Sequence, residues 1–218
     1  MLKQSTLDFL KKLKANNNKE WFEKNRKAYD EARADQLAFI SDVLSEMSKW
    51  DERMNGIDPK KCTMRINRDI RFSKDKSPYK SNLSFHVSPS GGGIHAGYYC
   101  HLEPGSTFVG GGLYGLEPPQ LKAVRQEIDY NLSEFTKIMN HAPFKKLFPE
   151  LKGDALANVP KDYPKDHPAA EWLKHKDFVI SVKLEDSELL EKDIVKKTNA
   201  IYKTMQPFML FMDRALEK

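Results

Sequence analysis

The spacing of apolar residues changes along this 218-residue chain, and the changes limit the folds open to it. Up to about residue 50 apolar residues recur at helical spacing, as in amphipathic helices. Between residues 64 and 109 they alternate with polar ones, which is typical of half-buried strands. After Pro118-Pro119 the helical spacing returns, with one more alternating run at 178–184. This order of elements predicts an α+β fold.

We expect a largely antiparallel sheet of about five strands, with N-terminal helices and a long C-terminal helix packed around it. The five runs that favour strands lie near residues 64–72, 83–87, 98–100, 107–109 and 178–184. Pro207 should break the last helix, because proline lacks the amide hydrogen that a helix needs. The stretch Pro89 to Gly93 predicts an exposed hairpin loop.

The chain, 1–218, is expected to form a single domain, since no linker or internal repeat interrupts it. Its parts would be a helical N-terminal part at 1–55, a strand meander at 60–115, and helices plus one strand at 118–218.

Composition excludes several classes of protein. Hydrophobic residues make up 39% of the chain, too many for a disordered protein. No apolar run approaches the roughly 20 residues of a spanning helix, and the start MLKQSTLDFLKKLK lacks a signal-peptide core, so we expect a cytoplasmic protein without membrane association. Cys62 and Cys100 are too far apart to suggest a Cys-rich zinc site, and the histidines 86, 95 and 101 match no metal-binding spacing. We therefore expect neither a metal nor a cofactor.

The positive charge of the chain is concentrated in one segment. The formal net charge is +5, yet eight Lys and Arg against two Asp fall between residues 60 and 80, so this segment alone carries +6. Such a local field attracts anions.

If residues 64–72 form a strand, Arg65, Asp69 and Arg71 share one face with Asn67. Met64, Ile66, Ile70 and Phe72 would then face the core. Arg68 falls among these apolar residues, where burying an unpaired guanidinium is very costly. Either a β-bulge turns Arg68 to the polar face or a buried network pairs it, and both arrangements crowd three arginines around Asp69.

This crowding has two interpretations. Asp69 could tie the arginines into a structural ion-pair network that braces the sheet. Alternatively, it could orient the guanidinium groups toward a phosphate or carboxylate, which arginine binds through two parallel hydrogen bonds. The next residues, Ser73 to Lys80, predict a polar turn whose lysines are either solvated or form a cover over the same anion.

The segment Arg65 to Tyr79 reads R-I-N-R-D-I-R-F-S-K-D-K-S-P-Y. It resembles the signature R-x-x-R-D-x-R-F-x-x-D-K-x-x-Y of an uncharacterised family of bacterial proteins with relatives in fungi. The similarity extends to W-F-E-K-N-R-K-A-Y near the start and D-H-P-A-A-E-W-L-K at 166–174. The resemblance implies no particular reaction, but it directs attention to Tyr99, Arg125, Asp166 and His167.

Two other motifs have a structural interpretation. Gly110 to Gly115 matches G-x-G-x-x-G, but the meander context and the missing acidic residue argue against a dinucleotide site and favour close backbone packing. Asp166 precedes a short helix expected to start at Pro168, so it should cap that helix while His167 packs; the same helix end could instead favour an anion.

The sequence thus favours a pocket that binds a small anionic or phosphate-bearing ligand, with or without turnover. Its expected ligand-binding residues are Arg65, Arg68, Arg71, Asp75, Lys76, Tyr79, Tyr99 and Arg125. If there is catalysis, Asp69 or His167 would be the acid or base. The alternatives are a nucleic-acid-binding protein that stacks bases on Phe72 and Tyr79, and a structural or partner-binding module.

Overall fold

The computed structural model describes residues 1–89 and 95–217. The helices, in chain order, are α1 (Gln4–Ala15), α2 (Lys19–Lys24), α3 (Arg26–Met47), α4 (Pro59–Cys62), α5 (Pro118–Tyr130), α6 (Leu132–Asn140), α7 (Ala142–Leu147), α8 (Ala170–Leu173), α9 (Asp186–Leu189) and α10 (Ile194–Leu216). The strands are β1 (Leu83–Val87), β2 (Gly97–Leu102), β3 (Phe108–Leu113) and β4 (Phe178–Lys183). Most of the loop expected at Pro89 to Gly93 lies outside the described residues.

The four strands form one antiparallel sheet in the order β1-β2-β3-β4. The α+β class, the N-terminal helices and the long C-terminal helix are as predicted, but the described residues form four strands instead of about five. Among these residues, no helix is both long and apolar enough to cross a membrane.

The strand expected at residues 64–72 is the one that is missing. Only isolated bridges pair this segment, Thr63 with Phe85 and Asn67 with Tyr79. The chain turns back after Arg68, and Pro78 has no amide hydrogen with which to extend the pairing. As a result Met64 and Phe72, both expected in the core, are 43% and 96% exposed.

The chain divides into two compact units. The first consists of residues 1–87, 99–109 and 183–200, and the second of residues 88–98, 110–182 and 201–218.

In the first unit, α1 and α3 pack through a shared apolar core, and Asp35 of α3 accepts hydrogen bonds from the Lys3 amide at 2.8 Å and the Thr6 hydroxyl at 2.6 Å. The region of helical spacing that ends near residue 50 contains three helices, α1, α2 and α3, and the backbone leaves the helical region at Asn25, between α2 and α3. Asn18 caps α2 by accepting a hydrogen bond from the Trp21 amide.

In the second unit, β3 and β4 approach so closely that only glycine fits. A Cβ atom at Gly112 would lie 2.0 Å from the Phe178 carbonyl oxygen, and one at Gly110 would lie 2.5 Å from that of Ile180. The glycine run therefore serves backbone packing, as predicted. The expected break at Pro207 is wrong, because α10 continues through it. Its neighbours Met205, Phe208 and Met209 are fully buried, and this packing compensates for the lost hydrogen bond.

Candidate functional site

The basic segment is a loop anchored at its base. The Arg68 amide donates to the Pro78 carbonyl at 3.0 Å, and the Lys80 amide donates to the Ile66 carbonyl at 2.8 Å. Asn17, which follows α1, donates to the Tyr79 carbonyl at 2.8 Å and accepts from the Tyr79 amide at 3.1 Å. The Tyr79 ring stacks on Phe22 with centroids 4.0 Å apart. Tyr79 is therefore a buried anchor, and its ring is not free to stack on a ligand.

The arginines of this loop pair with two different carboxylates. Arg68 binds Asp75, and Arg71 makes two hydrogen bonds of 2.9 and 2.6 Å to Asp69. The expectation that three arginines crowd around Asp69 is wrong. The turn directs Arg68 toward Asp75, and Arg71 is the arginine that forms hydrogen bonds with Asp69.

Both carboxylates are held in the charged form. Hydrogen bonds from the Ser77 hydroxyl and amide, together with the ion pair to Arg68, hold the pKa of Asp75 far below its usual range. Hydrogen bonds from Arg71, with a smaller contribution from the charge of Arg65, lower the pKa of Asp69. Neither group is a proton donor near neutral pH.

Arg65 and Lys80 are two cations that lie near each other. Within residues 1–89 and 95–217 neither of them forms an ion pair with a carboxylate. Burial lowers the pKa of Lys80, and the charge of Arg65 lowers it further. This lysine is therefore poorly compensated in the protein itself.

Lys80 lines an open groove with a volume of about 350 Å³, which we call the basic groove. Its lining residues are Lys14, Asn17, Arg68, Asp75, Ser77, Tyr79, Lys80, Ser81 and Asn82. All of them belong to the first unit. Arg65, Asp69, Arg71 and Lys76 do not line it; Lys76 instead donates to the Ile70 carbonyl at 2.9 Å.

Glu103 does not line the basic groove, but it binds two side chains that do. It accepts hydrogen bonds from Lys14 at 3.1 Å and Ser81 at 2.8 Å, and it pairs with His101 at 3.1 Å. Burial raises the pKa of Glu103, but hydrogen bonds from His101, Ser81 and Lys14 outweigh that effect and lower it. Glu103 is therefore a structural carboxylate that holds one face of the groove.

The Tyr99 hydroxyl belongs to the same network, 3.3 Å from Nδ1 of His101. Burial raises its pKa, opposed by a hydrogen bond from Ser84. Tyr99 is connected to the groove through His101 and Glu103 and does not line it.

The remaining predicted site residues lie in the second unit. Arg125 donates to the His175 carbonyl at 3.0 Å, while its buried Nε has no hydrogen-bond partner. Burial lowers the pKa of Arg125, opposed by the nearby Tyr163 and Asp162. His167 pairs through Nε2 with Asp129 at 2.9 Å and accepts the Ala169 amide on Nδ1 at 3.0 Å, so both ring nitrogens are engaged.

The expected cap at Asp166 is wrong. Helix α8 starts at Ala170, later than Pro168, and its N-cap residue is Ala169, without a side-chain cap. His167 instead binds the amide at this helix end. Among the described residues, no group of three or more His, Cys, Asp or Glu is placed to hold a metal ion.

Sequence reasoning missed Lys14, Asn17, Ser81 and Asn82 as groove residues. Ser81 and Asn82 directly follow the basic segment, and this position is the only feature of the sequence that could have indicated them as groove residues. Lys14 lies in the last turn of α1 and Asn17 follows that helix, more than 60 residues before Ser81. Nothing in the local pattern points to them.

In the part of the chain that the structure describes, fold and site together define an α+β protein with a four-stranded antiparallel sheet and a polar groove beside its most basic loop. The chain belongs to the DUF2461 family of conserved hypothetical proteins, whose model matches residues 5–211. The resemblance to an uncharacterised family is thereby confirmed. Comparison with curated proteins and with solved structures found no match.

Proposed function

We propose that the protein binds a small anionic or phosphate-bearing ligand in the basic groove. One observation carries the proposal: the half-buried Lys80 lies near Arg65, and no carboxylate of the described chain pairs with either of them. Two like charges disfavour each other's charged form, and an anion between or beside them removes that penalty.

The hydrogen-bonding groups of the groove support the same ligand class. Its amide and carboxylate oxygens already accept hydrogen bonds: Asn17 Oδ1 from the Tyr79 amide, Asn82 Oδ1 from Ser84, and Asp75 from Arg68 and Ser77. The Lys80 ammonium and the Asn82 amide nitrogen have no hydrogen-bond acceptor among the described residues. A groove that offers mainly donors suits a group that only accepts, as phosphate and carboxylate do.

The proposal gives each groove residue a role. Lys80 and Asn82 would bind the anion. Arg68, which donates to Asp75 and to the Ser73 hydroxyl, would contribute positive charge beside it, and Arg65 would add charge from outside the groove. Tyr79 and Asn17 hold the base of the loop. We assign no chemical role to Asp69 or His167, because Arg71 occupies both oxygens of Asp69 and both nitrogens of His167 are engaged.

Nucleic-acid binding is the second candidate function. It is favoured by the Phe72 side chain, which is 96% exposed and lies 5.9 Å from the Arg71 guanidinium. However, the Tyr79 ring is buried and cannot serve as the second expected stacking platform. Proteins that bind single strands without sequence preference stack successive bases on several aromatic side chains. This reduces the support for nucleic acid relative to a small anion.

The test compares melting temperatures in phosphate, pyrophosphate, citrate and nucleoside phosphates with those in chloride of matched ionic strength. A ligand that binds only the folded state stabilises it by RT ln(1 + [L]/Kd). We expect a selective rise for at least one of these anions. No selective shift with any of them would contradict the proposal and favour a structural role for the ion pairs.

A titration with single-stranded oligonucleotides distinguishes the second candidate. Binding to several phosphates would give a slope of log K against log[salt] of about −0.7 for each phosphate. We expect weak binding; tight binding with a slope steeper than about −3 would favour the nucleic-acid function instead.

A further inference from the structure

His101 lies outside the basic groove but contacts the carboxylate that binds two groove side chains. Oε2 of Glu103 lies 3.1 Å from Nε2 of His101. Oε1 of the same carboxylate accepts hydrogen bonds from Lys14 at 3.1 Å and from Ser81 at 2.8 Å, and both of these residues line the groove. All four residues belong to the first unit. Glu103 therefore connects a cation of the groove to a histidine outside it.

The surroundings of His101 accommodate both its neutral and its protonated form. The neutral ring can donate to Glu103 through Nε2 and accept through Nδ1, whereas the protonated ring donates from both nitrogens. Nδ1 lies 3.2 Å from the Ser84 hydroxyl and 3.3 Å from the Tyr99 hydroxyl, and a hydroxyl can donate or accept. The Phe108 ring of β3 stacks on the imidazole with centroids 5.0 Å apart. Protonation therefore leaves no buried donor of the ring without a partner.

The other titratable groups around His101 keep their charge near neutral pH. Burial raises the pKa of Glu103, but its hydrogen bonds outweigh that effect and lower it, so this carboxylate stays ionised. Burial raises the pKa of Tyr99 and lowers that of His86, the histidine of β1, so both stay neutral. Lys14 of α1 supplies the cation of the cluster. Histidine ordinarily changes charge between about pH 5 and 8, which leaves His101 as the group that responds to pH.

We propose that His101 controls, through Glu103, how tightly the basic groove binds an anion. While His101 is neutral, the charge of Glu103 compensates Lys14 and opposes an anion in the groove. Once His101 is protonated it neutralises Glu103, and the charge of Lys14 becomes available to the anion. The side chains of His101 and Glu103 are only 18% and 15% exposed, so salt screens their interaction weakly. Anions should therefore bind more tightly as the pH falls from about 8 to about 5.

This inference rests on the proposed function and adds the regulation of the same site. His101 is a positioning residue, because it acts through Glu103 and does not line the groove. By the same linkage, an anion in the groove should favour the protonated form of His101.

Inorganic sulfate is the probe, because it keeps its charge over this pH range, whereas phosphate takes up a proton within it. Isothermal titration calorimetry at constant ionic strength measures its Kd. We expect the Kd of the parent to fall about fivefold between about pH 8 and about pH 5, the lower end of typical coupling between two sites. His101→Gln keeps a hydrogen-bond donor but stays neutral, so it should lose most of this dependence. His141→Gln, which replaces an exposed histidine of the second unit, should behave as the parent does.

Proton uptake is a readout that a purely structural role of His101 would not change. Calorimetry at about pH 6.5 in buffers of different ionisation enthalpy measures the protons taken up with each sulfate. The parent and His141→Gln should take up a fraction of a proton, and His101→Gln should take up none. Glu103→Gln removes the opposing charge, so it should bind sulfate more tightly than the parent at about pH 8.

The outcomes distinguish this inference from the proposed function. The same pH dependence in His101→Gln as in the parent would overturn the inference and leave the anion groove in place, as would binding of phosphate without any binding of sulfate. If His101→Gln does not fold, the other two measurements decide. Equal sulfate affinity of Glu103→Gln and the parent, or no proton uptake by the parent, would overturn the inference. If neither sulfate nor phosphate binds at any pH, both proposals fail.

Discussion

Asp75 holds the loop in place at the basic groove, and its hydrogen bonds make a definite prediction about pH. The pKa of this carboxyl is lowered on folding, chiefly by Ser77 and then by Arg68. A group of this kind contributes stability above its unfolded pKa of about 3.9 and loses that contribution as the pH falls below it. Asp75→Asn should therefore be less stable than the parent at neutral pH, with a difference that shrinks below about pH 4.

Melting temperatures between pH 7 and pH 2 give the measurement. Asp42→Asn is the matched control, because Asp42 is exposed on α3. A difference between Asp75→Asn and the parent that stays constant down to pH 2 would show that the charge of Asp75 does not stabilise the folded state.

Phe72 and Phe22 make a second prediction at the scale of single residues. Phe72 is 96% exposed, so Phe72→Ala should leave the free energy of unfolding nearly unchanged. Phe22 is 1% exposed and stacks on Tyr79, so Phe22→Ala should cost about 3–5 kcal/mol. Urea unfolding of both variants checks this pair. A large loss of unfolding free energy in Phe72→Ala would contradict this account and show that the ring is buried in a core, as the alternation of apolar and polar residues from Met64 to Phe72 predicts.

The sequence predicted Phe72 in the core because apolar and polar residues alternate from Met64 to Phe72. That pattern assumes a continuous strand. In the folded chain, Asp75 and Ser77 form a turn that competes with pairing, and the segment leaves the sheet after one bridge. Alternation over so few residues does not distinguish a strand from a loop that tertiary hydrogen bonds shape.

At the scale of elements, the pairing of β3 with β4 depends on the glycines of β3. Gly112 has φ +126°, and its added Cβ would lie 2.0 Å from the Phe178 carbonyl oxygen, so Gly112→Ala combines backbone strain with a clash. We expect it to cost more than about 3 kcal/mol. Gly115 also has positive φ, +67°, but open space around its Cβ position, so Gly115→Ala should cost about 1–2 kcal/mol.

Urea unfolding of the two alanine variants measures the cost of the close approach of β3 and β4. Both variants replace a glycine of positive φ, so the difference between their losses of unfolding free energy reports the clash at Gly112. Equal losses at the two positions would mean that β3 and β4 can separate to admit a methyl group. In that case the glycine run would reflect backbone conformation alone.

Most elements could be predicted from local patterns. The end of the first helix at Asn16, the strand from Leu83 to Val87 and the final strand each follow from apolar spacing and turn residues. The continuation of α10 through Pro207 could not, because the packing that offsets the proline comes from buried neighbours that local sequence does not reveal.

At the scale of the whole molecule, the sequence located the most basic segment but not the groove that it borders. Of the predicted ligand-binding residues, Arg68, Asp75 and Tyr79 line the groove. Arg71 forms hydrogen bonds with its neighbour Asp69 and does not line the groove, and Arg125 belongs to the second unit. Lys14 and Asn17 reach the groove only because α1 packs in the same unit, a tertiary relation that a single sequence does not encode in any local pattern.

The central claim is that Lys80 is a cation that an external anion compensates. The most direct test measures the free energy of unfolding of the parent, Lys80→Gln and Lys27→Gln against phosphate concentration at constant ionic strength. The account predicts that Lys80→Gln is at least as stable as the parent in chloride, because repulsion from Arg65 is removed, and that it loses the stabilisation by phosphate. Lys27→Gln should keep that stabilisation in full. Equal phosphate stabilisation of the parent and Lys80→Gln, or a marked loss of stability of Lys80→Gln in chloride, would contradict the account.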